Sequence, residues 1–215
     1  MLLYNRVMIW TLPNTLTVLR LLAAPGVAVM FLYFNRPWAD WLALTLFVGA
    51  AITDWFDGYL ARLWKQESRF GAMLDPIADK AMVVIAIMVI TGYSGMNPWL
   101  ILPATVILFR EVFVSGLREF LGAKAGLLKV TKLAKFKTTA QMVAIAVLFL
   151  GTGLAYLEAG RPPRAGEGVL PPGYTWAAMA TLIGMVLIWI AAALTAITGM
   201  DYFLKSKPYL KDDPQ

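Results

Sequence analysis

Six stretches of roughly 20 predominantly apolar residues, each closed off by proline, glycine or clustered charge, run through this chain, and that is the length of helix needed to cross a bilayer's hydrocarbon core. They cover residues 16–34, 38–63, 73–93, 98–121, 136–156 and 175–203, leaving little sequence for a soluble domain. The composition points the same way. Of the 215 residues, 60% are hydrophobic and 15% charged, against about 45–50% and about 25% in soluble domains. The surplus apolar surface needs lipid rather than water to cover it. The expected fold is an all-α integral membrane protein, a single domain over 1–215 with six transmembrane helices. A short interfacial helix over 1–13 precedes them, where Tyr4, Val7, Met8, Ile9 and Trp10 are mixed with Asn5 and Arg6 and no signal-cleavage pattern is present.

Orientation is set by the basic residues. Arg6, Lys65, Arg69, Lys124, Lys129, Lys132, Lys135, Lys205, Lys207 and Lys211 fall at the N-terminus, the second and fourth connections and the C-terminus. The odd-numbered connections hold only Arg36, Arg161 and Arg164, so both termini are expected in the cytoplasm of a multi-pass protein of the cytoplasmic (inner) membrane. The net charge of +6 is accordingly read as topology, and no nucleic-acid partner is expected. The Trp and Tyr residues near span ends, such as Trp10, Trp38, Trp99 and Tyr202, read as interfacial belts.

The chain has no histidine and no cysteine. Imidazole bases, thiol nucleophiles, disulfides and thiolate zinc sites are excluded, and any proton transfer or metal ligation falls to Asp and Glu. Four aspartates stand where a membrane helix tolerates them poorly. Asp54 and Asp57 are spaced i, i+3 near the end of the second span, and Asp75 and Asp79 are spaced i, i+4 at the start of the third. Within each helix the pair shares a face, and the short link brings the two pairs together. A carboxylate near mid-span costs about 2.5–3.5 kcal/mol, so the group demands compensation. Oxygen ligands without nitrogen or sulfur suit hard cations, Mg²⁺ or Mn²⁺, and two ions would neutralise most of the charge. Gly58, Ala61 and Gly71 leave room beside the acids, and Arg62 offers a forked cation to a bridging phosphate. The assembly suits a pyrophosphate. Any one of these residues alone reads equally well as a helix cap or a close-packing position; the set at fixed spacing does not.

Asp54, Asp57, Gly58, Ala61, Arg62, Gly71, Asp75 and Asp79 match the pattern D-x2-D-G-x2-A-R-x8-G-x3-D-x3-D, in which the chain resembles the CDP-alcohol phosphotransferases. The resemblance implies a six-helix membrane enzyme, often a homodimer, that joins an alcohol to the phosphatidyl group of a CDP-linked donor and releases CMP. It implies Asp54, Asp57 and Asp75 as ligands of a two-metal centre, Asp79 as a further ligand and the catalytic base, and Gly58, Ala61, Arg62 and Gly71 around CDP. Asn14 and Thr17, with Arg20, are further candidates to border the nucleotide, although polar residues in a span commonly serve neighbouring helices.

The acceptor is addressed by the fourth span, where Arg110-Glu111 and Arg118-Glu119 interrupt an apolar stretch ahead of a run of lysines. Two arginines eight residues apart share a helix face, and an acceptor carrying its own phosphate requires such a cationic pocket. The strings R-E-V-F-V-S-G-L-R-E (110–119), K-T-T-A-Q-M (137–142), L-P-N-T-L-T-V-L-R (12–20) and L-D-P-I-A-D-K (74–80) resemble one branch of the family. That branch transfers the phosphatidyl group of CDP-diacylglycerol to sn-glycerol 3-phosphate. The resemblance makes Arg110, Arg118, Lys135 and Lys137 candidates for the acceptor phosphate. Inositol-phosphate and cardiolipin-type acceptors are the alternatives within the class. A cation transporter using the acids as a permeation site is the alternative outside it, disfavoured because the acids crowd one hairpin and no inverted repeat is detectable.

Overall fold

In a computed structural model, residues 11–64, 68–122, 132–159 and 175–209 are described, without the side chains at 55, 57–62, 64, 69 and 132–135. All regular structure among them is helical: α1 (Leu12–Tyr33), α2 (Trp38–Trp64), α3 (Arg69–Tyr93), α4 (Pro98–Leu121), α5 (Lys132–Ala159) and α6 (Trp176–Ser206), the last followed by a 3₁₀ turn (Lys207–Tyr209). Four stretches are long and apolar enough to cross a membrane, Leu12–Tyr33, Pro98–Leu121, Phe136–Ala159 and Trp176–Tyr209. The other two helices, α2 and α3, carry the motif acids and several basic residues, and these charges interrupt their apolar runs. Large apolar side chains such as Leu19, Leu22, Val112, Phe120, Leu182 and Ile197 are exposed along the apolar helices, the surface that lipid rather than water would cover.

Several helices begin earlier than apolarity alone indicates, because capping chemistry sets their starts. Thr11 caps α1, its side chain accepting from the Asn14 N–H, and Pro13 occupies the first turn, where no N–H is needed. Residues 11–13 therefore open the first long helix and do not end a separate interfacial one; residues 1–10 of that expected segment lie outside the described residues. Likewise α3 starts at Arg69, where the Ser68 hydroxyl accepts from the Gly71 N–H at 2.9 Å.

Chain contacts divide into two compact units, Met1–Val89 and Ile90–Gln215. In the first, α1 packs on α2, with Ala24, Val27 and Phe31 of α1 and Ala39, Ala43, Phe47 and Ala50 of α2 in the core. The small residues on α2 allow close approach of the helices. At the α1–α2 connection Asp40 is fully buried, and its charge is met by Arg36, whose Nε donates to Oδ2 at 2.7 Å and whose Nη2 donates to Oδ1.

In the second unit α6 packs against both α5 and α4. A Cβ at Gly184 would stand 2.8 Å from the Leu148 side chain and 3.2 Å from its backbone nitrogen, so α5 and α6 approach closely only because this position is glycine. Glu158, near the end of α5, accepts from the Ala177 N–H at 3.3 Å, which places a carboxylate at the positive end of α6.

Candidate active site

Three polar residues at three-residue intervals, Asn14, Thr17 and Arg20, lie on one face of α1, each no more than 4% exposed. Each meets a residue of the acidic hairpin. The Arg20 Nη1 donates to Asp54 Oδ1 on α2 and, at 3.0 Å, to Asp79 Oδ1 on α3. The Thr17 hydroxyl lies 2.8 Å from Asp75 Oδ1 and 3.1 Å from the Pro13 carbonyl oxygen. The Asn14 Oδ1 accepts from the Ser68 hydroxyl at 2.7 Å. The first three turns of α1 thus form a template onto which the carboxylates of Asp54, Asp75 and Asp79 are gathered. The spacing of the acids points to metal alone as their compensation. The structure adds Arg20, which provides a permanent positive charge between two of them.

Gly71 is helical and sits in the first turn of α3, not in the link between helices. A Cβ there would come within 2.8 Å of Asn14 Oδ1 and 3.3 Å of Ser68 Oγ, so any larger residue pushes on the hydrogen-bonded Asn14–Ser68 pair. Asp57, Gly58, Ala61 and Arg62 continue along α2 beyond Asp54, and their side chains lie outside the described ones.

Among the described residues no three acidic side chains are close enough together to ligate a metal ion; the Asp57 carboxylate is not among them. The donor set nonetheless fits a hard divalent cation. Its donors are carboxylates only, and the side chains of Asp54 and Asp79 are 44% and 54% exposed, open to a ligand. The space between these two carboxylates already accommodates a cationic group, that of Arg20.

In the second unit, Arg110 and Lys137 are brought together on one carboxylate: Glu111 Oε1 accepts from the Lys137 Nζ and, at 3.2 Å, from the Arg110 Nη1. Lys137 is 5% exposed. The stem of Arg110 lies against α6 at Gly199, where a Cβ would stand 2.8 Å from Arg110 Cγ. The buried Arg110 Nε has no hydrogen-bond partner among the described residues. Arg118, two turns further along α4, is exposed and does not share this environment. The Lys135 side chain lies outside the described ones.

The model of the CDP-alcohol phosphatidyltransferase family matches residues 10–197, running through both units. The chain belongs to this family. It is 69% identical to the CDP-diacylglycerol–glycerol-3-phosphate 3-phosphatidyltransferase of Cereibacter sphaeroides, over 95% of this chain and 99% of the relative. Proteins of the same name from Rickettsia bellii and Pectobacterium atrosepticum are 41% and 39% identical, over 92% and 90% of this chain and 96% and 93% of their own lengths. CDP-alcohol phosphatidyltransferases are generally dependent on divalent metal, which agrees with the chemistry of the acidic donor set. Family membership sets aside the transporter alternative.

Proposed function

We propose that this chain transfers the phosphatidyl group of CDP-diacylglycerol to sn-glycerol 3-phosphate, giving phosphatidylglycerol phosphate and CMP. One observation carries the chemistry: acids of the family motif from two helices converge on the polar face of α1. The names of the full-length relatives support this donor and acceptor.

Asp54, Asp57, Asp75 and Asp79 are the residues that would hold the metal, two ions of Mg²⁺ or Mn²⁺. Such ions would supply charge neutralisation for the donor's diphosphate and for the departing CMP oxygen. The chain's own residues do the rest. Asp79 accepts the proton of the acceptor's primary hydroxyl as its oxygen bonds to the lipid-bearing phosphorus; the bond to CMP breaks, and CMP leaves with the electron pair. Thr17 holds Asp75, and Arg20 gathers Asp54 and Asp79 ahead of that step. Gly58, Ala61, Arg62 and Gly71, with Asn14 and Thr17, border the CDP portion, Arg62 as a forked donor to phosphate. Arg110, Lys135 and Lys137 bind the acceptor's phosphate, and the exposed Arg118 adds positive charge two turns further along α4. That reading is supported by the meeting of Arg110 and Lys137 on the one carboxylate of Glu111.

The chain lies in the cytoplasmic membrane as one domain of six spans, with both termini and the acidic hairpin on the cytoplasmic side. The distribution of basic residues supports this orientation. So does the pairing of Arg36 with Asp40, which removes one of the few positive charges from the opposite side.

An acceptor panel tests the assignment. Purified protein is offered CDP-diacylglycerol with glycerol 3-phosphate, inositol phosphate, serine or phosphatidylglycerol, and lipid product is counted. Glycerol 3-phosphate is expected to turn over fastest; preference for another acceptor overturns the branch and leaves the class standing.

A further inference from the structure

Building on the metal reading above, we propose that Arg20 is a positioning residue that stands in for a cation. Its guanidinium clamps Asp54 of α2 to Asp79 of α3 before a divalent ion arrives, and part of that clamp is released when the ion binds. The cation is the fixed member of the cluster: the Arg20 side chain is 2% exposed, against 44% for Asp54 and 54% for Asp79. A single nitrogen, Nη1, serves carboxylates from two different helices. Without it, two like charges would face one another across the α2–α3 hairpin and repel.

Arginine does not deprotonate in proteins, so this charge is permanent and opposes any second cation placed on the same oxygens. Removing it therefore has opposite consequences in two states. The metal-free protein loses its clamp, whereas the metal-bound protein loses a repulsion and gains two unencumbered ligands. A residue with a merely structural part in the fold would weaken both states.

The test is a Mn²⁺ titration of the full-length protein in detergent, read by loss of the free-ion EPR signal, together with thermal unfolding in EDTA. Arg20→Gln is expected to tighten Mn²⁺ binding by about tenfold or more, the direction Coulomb repulsion dictates, while lowering the unfolding temperature of the EDTA-treated protein. Should Arg20→Gln not fold, Arg20→Met carries the test: it removes the charge, keeps most of the apolar stem, and is expected to bind Mn²⁺ more tightly than wild type in the same direction. Unchanged or weaker Mn²⁺ binding by the folded variants, with normal binding by wild type, overturns the proposal. Wild-type protein that binds no Mn²⁺ overturns the metal reading on which it rests.

Discussion

Replacing Gly71 by alanine isolates the contact that sets α3 against α1. The new methyl would lie 2.8 Å from Asn14 Oδ1 and 3.3 Å from Ser68 Oγ, and those two atoms are themselves joined by a 2.7 Å hydrogen bond. Both must shift. Forcing a methyl into a filled site costs about 1–3 kcal/mol, and weakening the Ser68–Asn14 bond adds about 1 kcal/mol. Alanine's helix propensity returns up to about 1 kcal/mol, less in a first turn. The net expectation is a loss of about 1–3 kcal/mol, the hydrogen-bond and propensity terms roughly cancelling and leaving the overpacking term. The assay is reversible unfolding in mixed micelles, run as a double-mutant cycle with Asn14→Ala. Removing the Asn14 amide removes the obstruction, so Gly71→Ala in that background should cost no more than about 0.5 kcal/mol, a coupling well above the error of such cycles. Equal cost in both backgrounds, or stabilisation by Gly71→Ala alone, would refute the account of this contact.

Other perturbations draw on the same geometry. Asp79→Asn removes the proton acceptor but leaves Arg20 paired with Asp54, so kcat should fall by about 10²–10⁴ while the unfolding midpoint moves little; unimpaired CMP release would remove Asp79 as the base. Lys137→Met should raise the KM for glycerol 3-phosphate by about tenfold or more with little change in the KM for CDP-diacylglycerol, and equal effects on both substrates would disqualify Lys137 as an acceptor ligand. Gly184→Ala drives a methyl into Leu148, which is only 2% exposed and has no room to yield. It should destabilise the protein by about 1–3 kcal/mol in the same micelle assay, and a neutral result would show that α5 and α6 separate easily.

The apolar runs locate all six helices in the sequence, and four of the described stretches are long and apolar enough to cross a membrane, a length that few constraints other than hydrocarbon thickness impose. The helix ends are less legible. Apolarity begins at Met73 and Phe136, whereas α3 begins at Arg69 and α5 at Lys132, since a helix starts where a cap or backbone geometry permits rather than where charge stops. Ser68 and Thr11 are the available signals. The acids of the hairpin are readable as a group because their spacing is local. Arg20 is not readable as their partner, since it lies 34 residues from Asp54 and 59 from Asp79 and reaches them only through tertiary packing. The regular placement of Asn14, Thr17 and Arg20 in an apolar helix is the one trace of it. Buried Asp40 and its pairing with Arg36 leave only an i, i+4 spacing, and the Glu158 contact with the start of α6 leaves none.

Arg118 illustrates the limit of helix-face arithmetic. Its eight-residue separation from Arg110 indicates a shared direction, yet Arg110 is tucked against Gly199 while Arg118 stands exposed in the last turn of α4. Periodicity fixes direction but not what a neighbouring helix covers.

On the proposed function, the carboxylates of the acidic hairpin build a divalent-dependent centre for phosphatidyl transfer. The most direct measurement tracks CMP release and phosphatidylglycerol phosphate formation together, using purified protein, CDP-diacylglycerol and labelled glycerol 3-phosphate, first with EDTA and then with Mg²⁺ or Mn²⁺ restored. No turnover is expected under chelation, with equal yields of the two products when the ion returns. Transfer that continues in EDTA, or CMP released without the lipid product, would contradict it.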